Sequence, residues 1–435
     1  MHRISIIIFL NFFGIICYGQ NQAIKNASIW NGEKMIKKDI YIIDTKLSYI
    51  EPAEVDTTID YSGKFIVPAF GDFHTHLFDG EYSIKYDSLF ISKGLFYTND
   101  LVNNPDGRDE MKSYFNETST VDVSYANGCL TSNYGHPIEG YERMRFNFGW
   151  NMTAIQKDSL KESRFYENKT YYIVDNEEQV NVKIDMLEST NPNFIKIILF
   201  NSEEYLQSDT IPLFNKGLNP KLLPLIVERA NSINTRIVAH VESEFDLLVC
   251  MQAGIKYFAH LPQYGFENSR DEKGKLPIIS DNTLFLMKMN NVKVNPTLSR
   301  TFSNLMYLPE QYRPDSISLK KIKDFHQLAI RKLKEYDIPI LSGADFPNLT
   351  AVDEILYYNE LNIFEPKELL NILINTSIAI FPNRKIGFIE EGFEANFLVL
   401  NQDPLLDIKA IKTIESRFKA GKKLNKTIAN NINKK

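Results

Sequence analysis

The chain has 435 residues, of which 43% are hydrophobic and 24% charged, and its formal net charge is −6. This length suits one large α/β domain with a smaller one, and the composition is that of a globular protein without a low-complexity tract. The negative charge argues against a nucleic-acid partner bound through its phosphates. Functions that depend on a broad basic surface are therefore excluded.

The first nineteen residues differ from the rest of the chain. The start M-H-R is followed by the apolar run I-S-I-I-I-F-L-N-F-F-G-I-I and by C-Y-G-Q. The run is short for a membrane span and ends in small residues, which predicts a signal peptide over residues 1–19. We expect an exported protein, periplasmic or secreted, without membrane attachment after cleavage. A retained N-terminal anchor and a lipoprotein anchored at Cys17 are the alternatives, and the large Ile16 disfavours the second.

Two cysteines, Cys129 and Cys250, would remain after cleavage. They could pair in an oxidising compartment, but two cysteines in a chain of this length are not a disulfide framework. Buried, unpaired thiols are the favoured interpretation, with pairing left open. No C-x-x-C occurs, so metal binding through cysteine is not expected.

Residues 22–67 predict short strands separated by turns, which indicates a small β unit. From residue 66 onward, short apolar strands alternate with segments of helical period such as 220–234 and 318–336. The candidate strands are I-V-P-A-F-G-D-F-H, G-L-F-Y-T-N-D, Y-A-N-G-C-L-T-S-N, F-I-K-I-I-L-F, R-I-V-A-H-V, I-K-Y-F-A-H-L, V-K-V-N-P-T-L and I-P-I-L-S-G-A-D. Eight strands alternating with helices predict an α/β fold, a parallel (β/α)8 TIM barrel.

The C-terminal part returns to short strands, K-I-G-F-I-E-E-G and A-N-F-L-V-L-N, which we expect to rejoin the N-terminal β unit. The predicted domains are therefore an N-terminal part of a small β-sandwich domain over 20–67 and a barrel over 68–380. Residues 381–435 would form the C-terminal part of the small domain and a tail.

Six polar residues lie in these strands or at their C-terminal ends, where barrel enzymes place their chemistry. They are His74, His76, Lys196, His240, His260 and Asp345. Alternating residues of a strand point the same way, so the two histidines of G-D-F-H-T-H would face one space. Singly, each histidine could be a hydrogen-bonded core residue and the aspartate a helix cap. Together they favour a metal site, since imidazole and carboxylate suit Zn²⁺.

Lys196 lies inside the apolar strand F-I-K-I-I-L-F. A buried, unpaired ammonium costs several kcal/mol or shifts its pKa toward neutrality. The alternative is an amine that reaches the barrel mouth and pairs with a carboxylate. Two neighbouring divalent metals need bridging anions. A neutral lysine can react with CO₂ to form a carbamate, which is a bridging carboxylate.

These motifs resemble the amidohydrolase superfamily of metal-dependent hydrolases, over nearly all of the mature chain. The matching stretches are V-P-A-F-G-D-F-H-T-H, the strand-four lysine, V-A-H-V-E, F-A-H-L, S-G-A-D and K-I-G-F-I-E-E-G-F-E-A-N-F-L-V-L-N-Q-D-P-L. Within the superfamily the chain is nearest to the imidazolonepropionase-like and Xaa-Pro-dipeptidase-like branch. Ala69 stands where glycine is usual and Asn396 where aspartate is usual, but neither is a ligand.

The resemblance implies an enzyme with two divalent metal ions, expected to be Zn²⁺. The implied ligands are His74, His76 and Asp345 for the first metal and His240 and His260 for the second. Carboxylated Lys196 and a hydroxide would bridge the metals, and Asp345 would carry a proton from the hydroxide to the leaving amine. The expected reaction is hydrolysis of an amide or peptide-like C–N bond in a small molecule, a dipeptide or a cyclic amide. The alternative is a non-catalytic barrel of the same kind that acts as a binding protein.

Several further residues are candidates for secondary roles. His136, in S-N-Y-G-H-P, matches a histidine that contacts substrate in the dipeptidase-like branch, and a loop histidine bonded to the backbone is the alternative. His326 is expected to be structural or exposed, and Asp100 to support the barrel mouth without binding metal. Arg143 and Arg145 could meet a substrate carboxylate, although surface positions are favoured. Whether the protein forms a homo-oligomer is left open.

Overall fold

The computed structural model describes residues 21–149, 152–207, 216–262, 279–307, 310 and 313–424. The predicted signal peptide, with Cys17, lies outside the described residues. Within them, every helix is too short or too polar to cross a membrane.

The strands of the described residues are short, and most of their side chains are buried. In chain order they are β1 Gln22–Lys25, β2 Ser28–Trp30, β3 Met35–Lys37, β4 Ile40–Ile43, β5 Lys46–Ser48, β6 Thr57–Asp60, β7 Phe65–Pro68, β8 Phe70–Thr75, β9 Leu95–Asp100, β10 Asp122–Tyr125, β11 Cys129–Thr131, β12 Tyr171–Ile173, β13 Ile195–Ile198, β14 Ile237–His240, β15 Tyr257–Ala259, β16 Lys293–Asn295, β17 Phe397–Leu400, β18 Ile414–Lys419 and β19 Lys422–Lys423.

The α-helices lie mainly between the strands of the central part of the chain. They are α1 Ser83–Ser92, α2 Pro105–Glu110, α3 Ile138–Arg145, α4 Ala154–Lys161, α5 Glu177–Ser189, α6 Ser202–Gln207, α7 Leu223–Ser232, α8 Glu244–Gln252, α9 Asp281–Met289, α10 Leu298–Tyr307, α11 Ser316–Glu335, α12 Ala351–Glu360 and α13 Pro366–Ile380. Short 3₁₀ helices cover Pro220–Leu222 and Ile408–Lys412. The helices predicted over 220–234 and 318–336 thus correspond to α7 and α11.

Two sheets of parallel strands form the centre of the fold. One has the strand order β10-β9-β8 and the other β12-β11-β13-β14-β15-β16. Helices α1, α5, α7, α8 and α9 each lie between successive strands, as parallel pairing requires of a crossover connection. The predicted α/β class with parallel strands is therefore confirmed. The carboxyl ends of neighbouring strands meet at one edge, which brings their terminal side chains together.

The segment after residue 339 links the two parallel sheets. Leu341 N donates to Val294 O at 2.8 Å on one side, and Phe73 N donates to Ser342 O at 2.8 Å on the other. This close approach explains Gly343, because a Cβ atom there would lie 2.7 Å from His74 N. The S-G-A-D stretch therefore runs directly beside the end of β8.

Two further sheets combine both ends of the described chain. The six-stranded sheet has the order β19-β18-β17-β7-β2-β3, and the four-stranded sheet the order β5-β4-β1-β6. Side chains of both sheets, including Ile29, Ile42 and Val399, share a buried apolar cluster that is separate from the main core. Burial of this shared surface holds the C-terminal strands against the N-terminal ones.

Some predicted strand boundaries are wrong. The single strand expected over 66–74 is divided at Ala69, because Ala69 N bonds to Asn396 O in one sheet while Phe70 N bonds to Gly94 O in the other. The strand expected over 125–133 is divided between β10 and β11, where Asn127 and Gly128 have positive φ angles. Residues 385–392 form no strand. Residues 338–345, expected as a strand, form no regular strand, and Ile340 makes an isolated bridge with Val294.

Cys129 and Cys250 are both buried and unpaired. Burial raises the pKa of the Cys129 thiol to about 12, so neither thiolate chemistry nor disulfide formation is expected there. The favoured interpretation of the two cysteines as buried core residues is confirmed.

Candidate active site

The two histidines of G-D-F-H-T-H project from the end of β8 toward Asp345. His74 is buried, whereas about a third of the His76 side chain is exposed. The distance from His74 Nε2 to Asp345 Oδ1 is 3.5 Å, and that from His76 Nε2 to the same oxygen is 3.1 Å. The ring centroids of the two histidines are 5.2 Å apart. The alternation of side chains along the strand has brought both rings to one side, as predicted.

Asp345 and His260 reach the same point from two other segments. His260 Nε2 lies 3.7 Å from Asp345 Oδ2. One ligand atom each from His74, His260 and Asp345 lie within 4.8 Å of one another. Both His260 and Asp345 have positive φ angles, 75° and 50°. These uncommon backbone angles occur directly after β15 at His260 and after the S-G-A stretch beside β8 at Asp345.

The remaining predicted ligands, His240 and Lys196, line the same cavity. His240, the last residue of β14, has its ring centroid 4.7 Å from that of His260. Its Nε2 is 2.9 Å from Glu242 Oε1, a contact that sequence reasoning missed. Lys196 is 2% exposed, and its Nζ has no hydrogen-bond partner among the described residues.

Burial lowers the pKa of Lys196 to about 8, although Asp345 acts in the opposite direction. The lower pKa makes the neutral, nucleophilic form of the amine more accessible near neutral pH than in an ordinary lysine. The alternative of a lysine paired with a carboxylate at the barrel mouth finds no support in its hydrogen bonding. Lys196 Nζ is therefore a buried polar atom that requires a partner.

Hydrogen bonds at Nδ1 leave the Nε2 atoms of His74 and His260 able to bind a metal. Asn295 Nδ2 donates to Leu341 O and Gly343 O, so Asn295 Oδ1, 3.2 Å away, accepts from His74 Nδ1. Thr297 Oγ1 donates to Pro296 O at 2.8 Å and therefore accepts from His260 Nδ1 at 2.7 Å. In both rings the proton is assigned to Nδ1, which leaves the Nε2 lone pair directed at the cluster.

The charge states of the cluster also fit a metal. Burial lowers the pKa of His74 and His260 well below the usual value and that of His240 to about 3, so these rings are neutral. Burial raises the pKa of Asp345, but Arg300, His74 and His76 outweigh it and hold this pKa well below the ordinary value. Neutral imidazoles beside an ionised carboxylate form the donor set that divalent Zn²⁺ prefers.

Arg300 is a second residue that sequence reasoning missed. It lies in the first turn of α10, five residues after the end of β16, and its Nη1 donates to Asp345 Oδ2. An arginine in a helical segment belongs to no sequence motif that would mark it as functional. Asn295 and Thr297 could have been noticed, because they are polar residues at the end of the predicted strand V-K-V-N-P-T-L.

All six predicted ligands line one cavity of about 870 Å³. The cavity also contains His136, Arg143 and Arg300 and, toward its mouth, the aromatic side chains of Tyr82 and Phe165. This size accommodates a small-molecule ligand.

His136 stacks on His240, with ring centroids 5.0 Å apart, while its backbone N–H donates to Lys216 O at 2.8 Å. His136 thus lines the cavity, as a substrate contact would require, and also bonds to the backbone, as the alternative states.

Arg143 also lines the cavity, whereas Arg145 is exposed. His326 is buried away from the site and its Nδ1 lies 2.7 Å from Tyr357 Oη, so it is structural. Asp100 is buried at the end of β9 and accepts from Phe78 N at 2.7 Å.

No protein-family model matches the chain. A dihydroorotase of Caldicellulosiruptor saccharolyticus is 42% identical over 86 residues, which are 17% of this chain and 20% of the dihydroorotase. The alignment thus spans about a fifth of that curated relative.

Solved structures align with almost the whole chain. A. niger ochratoxinase aligns with a TM-score of 0.68 and 17% identity, over 93% of this chain and 95% of the ochratoxinase. An amidohydrolase aligns with a TM-score of 0.67 and 18% identity, over 93% of this chain and 99% of the amidohydrolase. A Xaa-Pro dipeptidase with methionine in its active site aligns with a TM-score of 0.69 and 15% identity, over 93% of this chain and 100% of the dipeptidase. The chain has the amidohydrolase fold, as the sequence resemblance predicts.

Proposed function

We propose that the protein is a metal-dependent hydrolase that cleaves amide or peptide-like C–N bonds in small molecules. The observation that carries this proposal is the convergence of His74, His260 and Asp345 within 4.8 Å in a cavity of about 870 Å³. Lys196, whose amine has no hydrogen-bond partner among the described residues, lines the same cavity. The hydrolases among the structural neighbours support the same reaction class.

The proposed architecture is a (β/α)8 barrel over 68–380 with a small β-sandwich domain from 20–67 and 381–435. Support for the barrel comes from the parallel pairings and from the segment after residue 339, which bonds to both parallel sheets. Support for the small domain comes from β17, which pairs with β7, and from the apolar cluster shared by the two outer sheets.

In the proposed site, His74, His76 and Asp345 would hold one divalent ion, and His240 and His260 a second. Lys196, as a carbamate formed from its neutral amine and CO₂ with release of a proton, would bridge them. Bound Zn²⁺ supplies an acidified water and polarises the carbonyl of the substrate. Asn295 and Thr297 keep the ring protons of His74 and His260 on Nδ1, which leaves Nε2 for the metal.

Asp345 is the proposed proton carrier. As a carboxylate at the cavity floor, it accepts a proton from the attacking water and gives it to the nitrogen of the leaving amine. The water oxygen adds to the carbonyl carbon first, and the C–N bond then breaks as the protonated amine leaves with the bonding electron pair. His136, stacked on His240 at the wall of the cavity, would contact the substrate.

A hydrolysis screen of the full chain tests the proposal. Zinc-loaded and chelator-treated protein would be offered dipeptides, N-acyl amino acids and cyclic amides, with metal content measured by mass spectrometry. We expect metal-dependent turnover and two ions per chain. Two bound ions without hydrolysis across this panel would instead support the non-catalytic binding barrel.

We also propose export through cleavage of residues 1–19. Cell fractionation of the full chain with a C-terminal tag, followed by N-terminal sequencing, tests this. A mature protein that begins at Gln20 is expected, and an intact N-terminus in the membrane fraction would contradict it.

A further inference from the structure

We infer that Asn99, Ser124 and Arg236 form a binding site for a halide ion, chloride, in the core of the parallel strands. These three residues, which we call the Arg236 cluster, are distinct from the candidate metal ligands. The inference does not depend on the proposed hydrolysis, because the ion would act as a counterion within the fold.

The Arg236 cluster combines residues of three strand segments. Asn99 of β9 and Ser124 of β10 are register partners in a parallel pair, so their side chains lie on the same face. Arg236 directly precedes β14 and points to the same face of that strand as His240, because the two positions have the same parity. A rise of about 3.3 Å per residue separates Arg236 from the proposed metal ligand His240 by about 13 Å along the strand.

The guanidinium of Arg236 donates to neutral oxygens. Its Nη1 donates to Ala379 O, and its Nη2 donates to Ile380 O at 3.0 Å and to Asn99 Oδ1 at 3.4 Å. Ala379 and Ile380 are the last two residues of α13. The carboxyl end of a helix carries about half a negative elementary charge, so these carbonyls neutralise the cation only in part.

No carboxylate of the described residues balances the charge of Arg236. Burial lowers the pKa of the guanidinium, and the group that acts in the opposite direction is Tyr257. The ring centroids of Phe194 and Tyr257 lie 5.6 Å and 5.3 Å from Arg236 Cζ. Aromatic faces attract a cation without supplying a whole negative charge. Since a cation in the core without a counterion is unfavourable, a bound anion would stabilise the fold here.

Each side chain of the Arg236 cluster contributes a buried polar atom without a hydrogen-bond partner among the described residues. These atoms are Asn99 Nδ2, Ser124 Oγ and Arg236 Nε. Because Asn99 Oδ1 accepts from Arg236, the amide nitrogen of Asn99 directs its two N–H donors elsewhere. The serine hydroxyl can donate as well. The cluster therefore offers donors from three side chains to a single acceptor.

The surplus of donors favours an anion over a water molecule. A bridging water brings two protons of its own, whereas Ser124 Oγ is the possible acceptor among the three unpartnered atoms. An anion accepts from all three side chains and also neutralises Arg236. Asn99 and Ser124 are fully buried, which favours a small spherical ion over an oxyanion or a larger organic acid. Chloride is the biological ion of this class.

Thermal unfolding of the chelator-treated full chain tests the inference without a contribution from chloride on zinc. Sodium chloride would replace sodium gluconate at constant ionic strength. We expect Tm to rise by roughly 2 °C for each tenfold increase in chloride, because an ion that binds only the folded state stabilises it by mass action. S124A removes one donor and should reduce this rise. S416A is the matched control and should keep it, since Ser416 Oγ is also buried and without a partner among the described residues but lies in β18.

N99D provides the decisive variant, because it places a carboxylate beside Arg236 with almost no change in side-chain size. We expect the Tm of N99D to be independent of chloride and, at low chloride, at least as high as that of the wild type. Crystals of the wild type soaked in sodium bromide should show an anomalous scattering peak in contact with Arg236 Nε, and crystals of N99D should not. Equal Tm in chloride and gluconate, an unchanged chloride dependence in N99D, or the absence of the bromide peak from the wild type would overturn the inference. Circular dichroism verifies that each variant is folded.

Discussion

Two buried lysines of this molecule have opposite surroundings. Lys419, in β18, is 3% exposed, and its Nζ donates to Asp122 Oδ1 at 2.6 Å and to two backbone carbonyls, those of Glu117 and Thr120. Lys196, in β13, is 2% exposed, and its Nζ has no hydrogen-bond partner in the described part of the chain. Equal burial therefore coexists with full hydrogen bonding in one case and none in the other.

The difference sets a structural lysine apart from the lysine that we propose as a metal ligand. Burial lowers the pKa of both amines, and in Lys419 the partner Asp122 opposes this effect. These hydrogen bonds of Lys419 tie the C-terminal strand β18 to the loop over residues 117–120 and to β10. A buried amine without a hydrogen-bond partner instead costs free energy and favours its neutral form. Burial alone does not reveal function, whereas burial without a partner points to it.

The largest expected effect is the loss of activity in K196A. Removing the proposed bridging ligand should lower kcat/KM by roughly 10³-fold, because both metal affinity and activation of water depend on it. Metal content should fall below two ions per chain, as measured by mass spectrometry. K419M is the matched control, since it removes the other buried amine. Full activity and two ions in K196A would refute the role of Lys196.

Substitution of Lys419 should lower stability more than substitution of Lys196, the reverse of their effects on activity. K419M breaks a buried pair and leaves Asp122 and two carbonyls with fewer donors, so the free energy of unfolding should fall by about 3 to 5 kcal/mol. K196M, which removes an unpaired amine, should leave the metal-free protein equally stable or more stable. Urea denaturation of chelator-treated protein measures both. A larger loss in K196M than in K419M would invalidate the comparison.

The pH dependence of stability should also distinguish Lys196. Its pKa is about 8 in the fold and about 10.4 in an unfolded chain. Between these values the unfolded state binds more protons, so this group adds stability as pH rises from 8 to 10.4, by up to about 3 kcal/mol. The added stability is lost as pH falls from about 10.4 to about 8, and below that pH this group causes no further change. Metal-free protein in CO₂-free buffer should show this slope, and K196M should lack it. Parallel curves for the two proteins would mean an ordinary lysine pKa.

The smallest effect concerns the partners of the ligands. N295A removes the acceptor that orients His74, and metal affinity should fall roughly 10- to 100-fold in a chelator competition. Y357F removes the partner of His326, a buried histidine outside the site, and should not change metal affinity. If both variants weakened metal binding equally, the orientation of His74 would not be the cause.

The alternation of short apolar strands and helical segments predicted the parallel α/β core and the polar residues at strand ends. It did not predict that Ala69 marks a change of sheet, because this depends on hydrogen bonds with Asn396 and Gly94, far away in the chain or in another sheet. Nor did it identify Arg300, since an arginine in an amphipathic helix has the same local pattern wherever it points. Motif spacing found the ligands but not the residues that orient them.

By itself, the sequence determined the residue types that can bind a metal and their places at strand ends, because strand periodicity and strand length are local properties. Only the tertiary structure decided which of these side chains meet. It is also the fold that left Lys196 without a hydrogen-bond partner among the described residues and gave Lys419 three, and that assigned the ring proton of His74 through Asn295. These features depend on atoms from distant segments, whose distances no local pattern encodes. The chemistry proposed for G-D-F-H-T-H therefore depends on the strands around it.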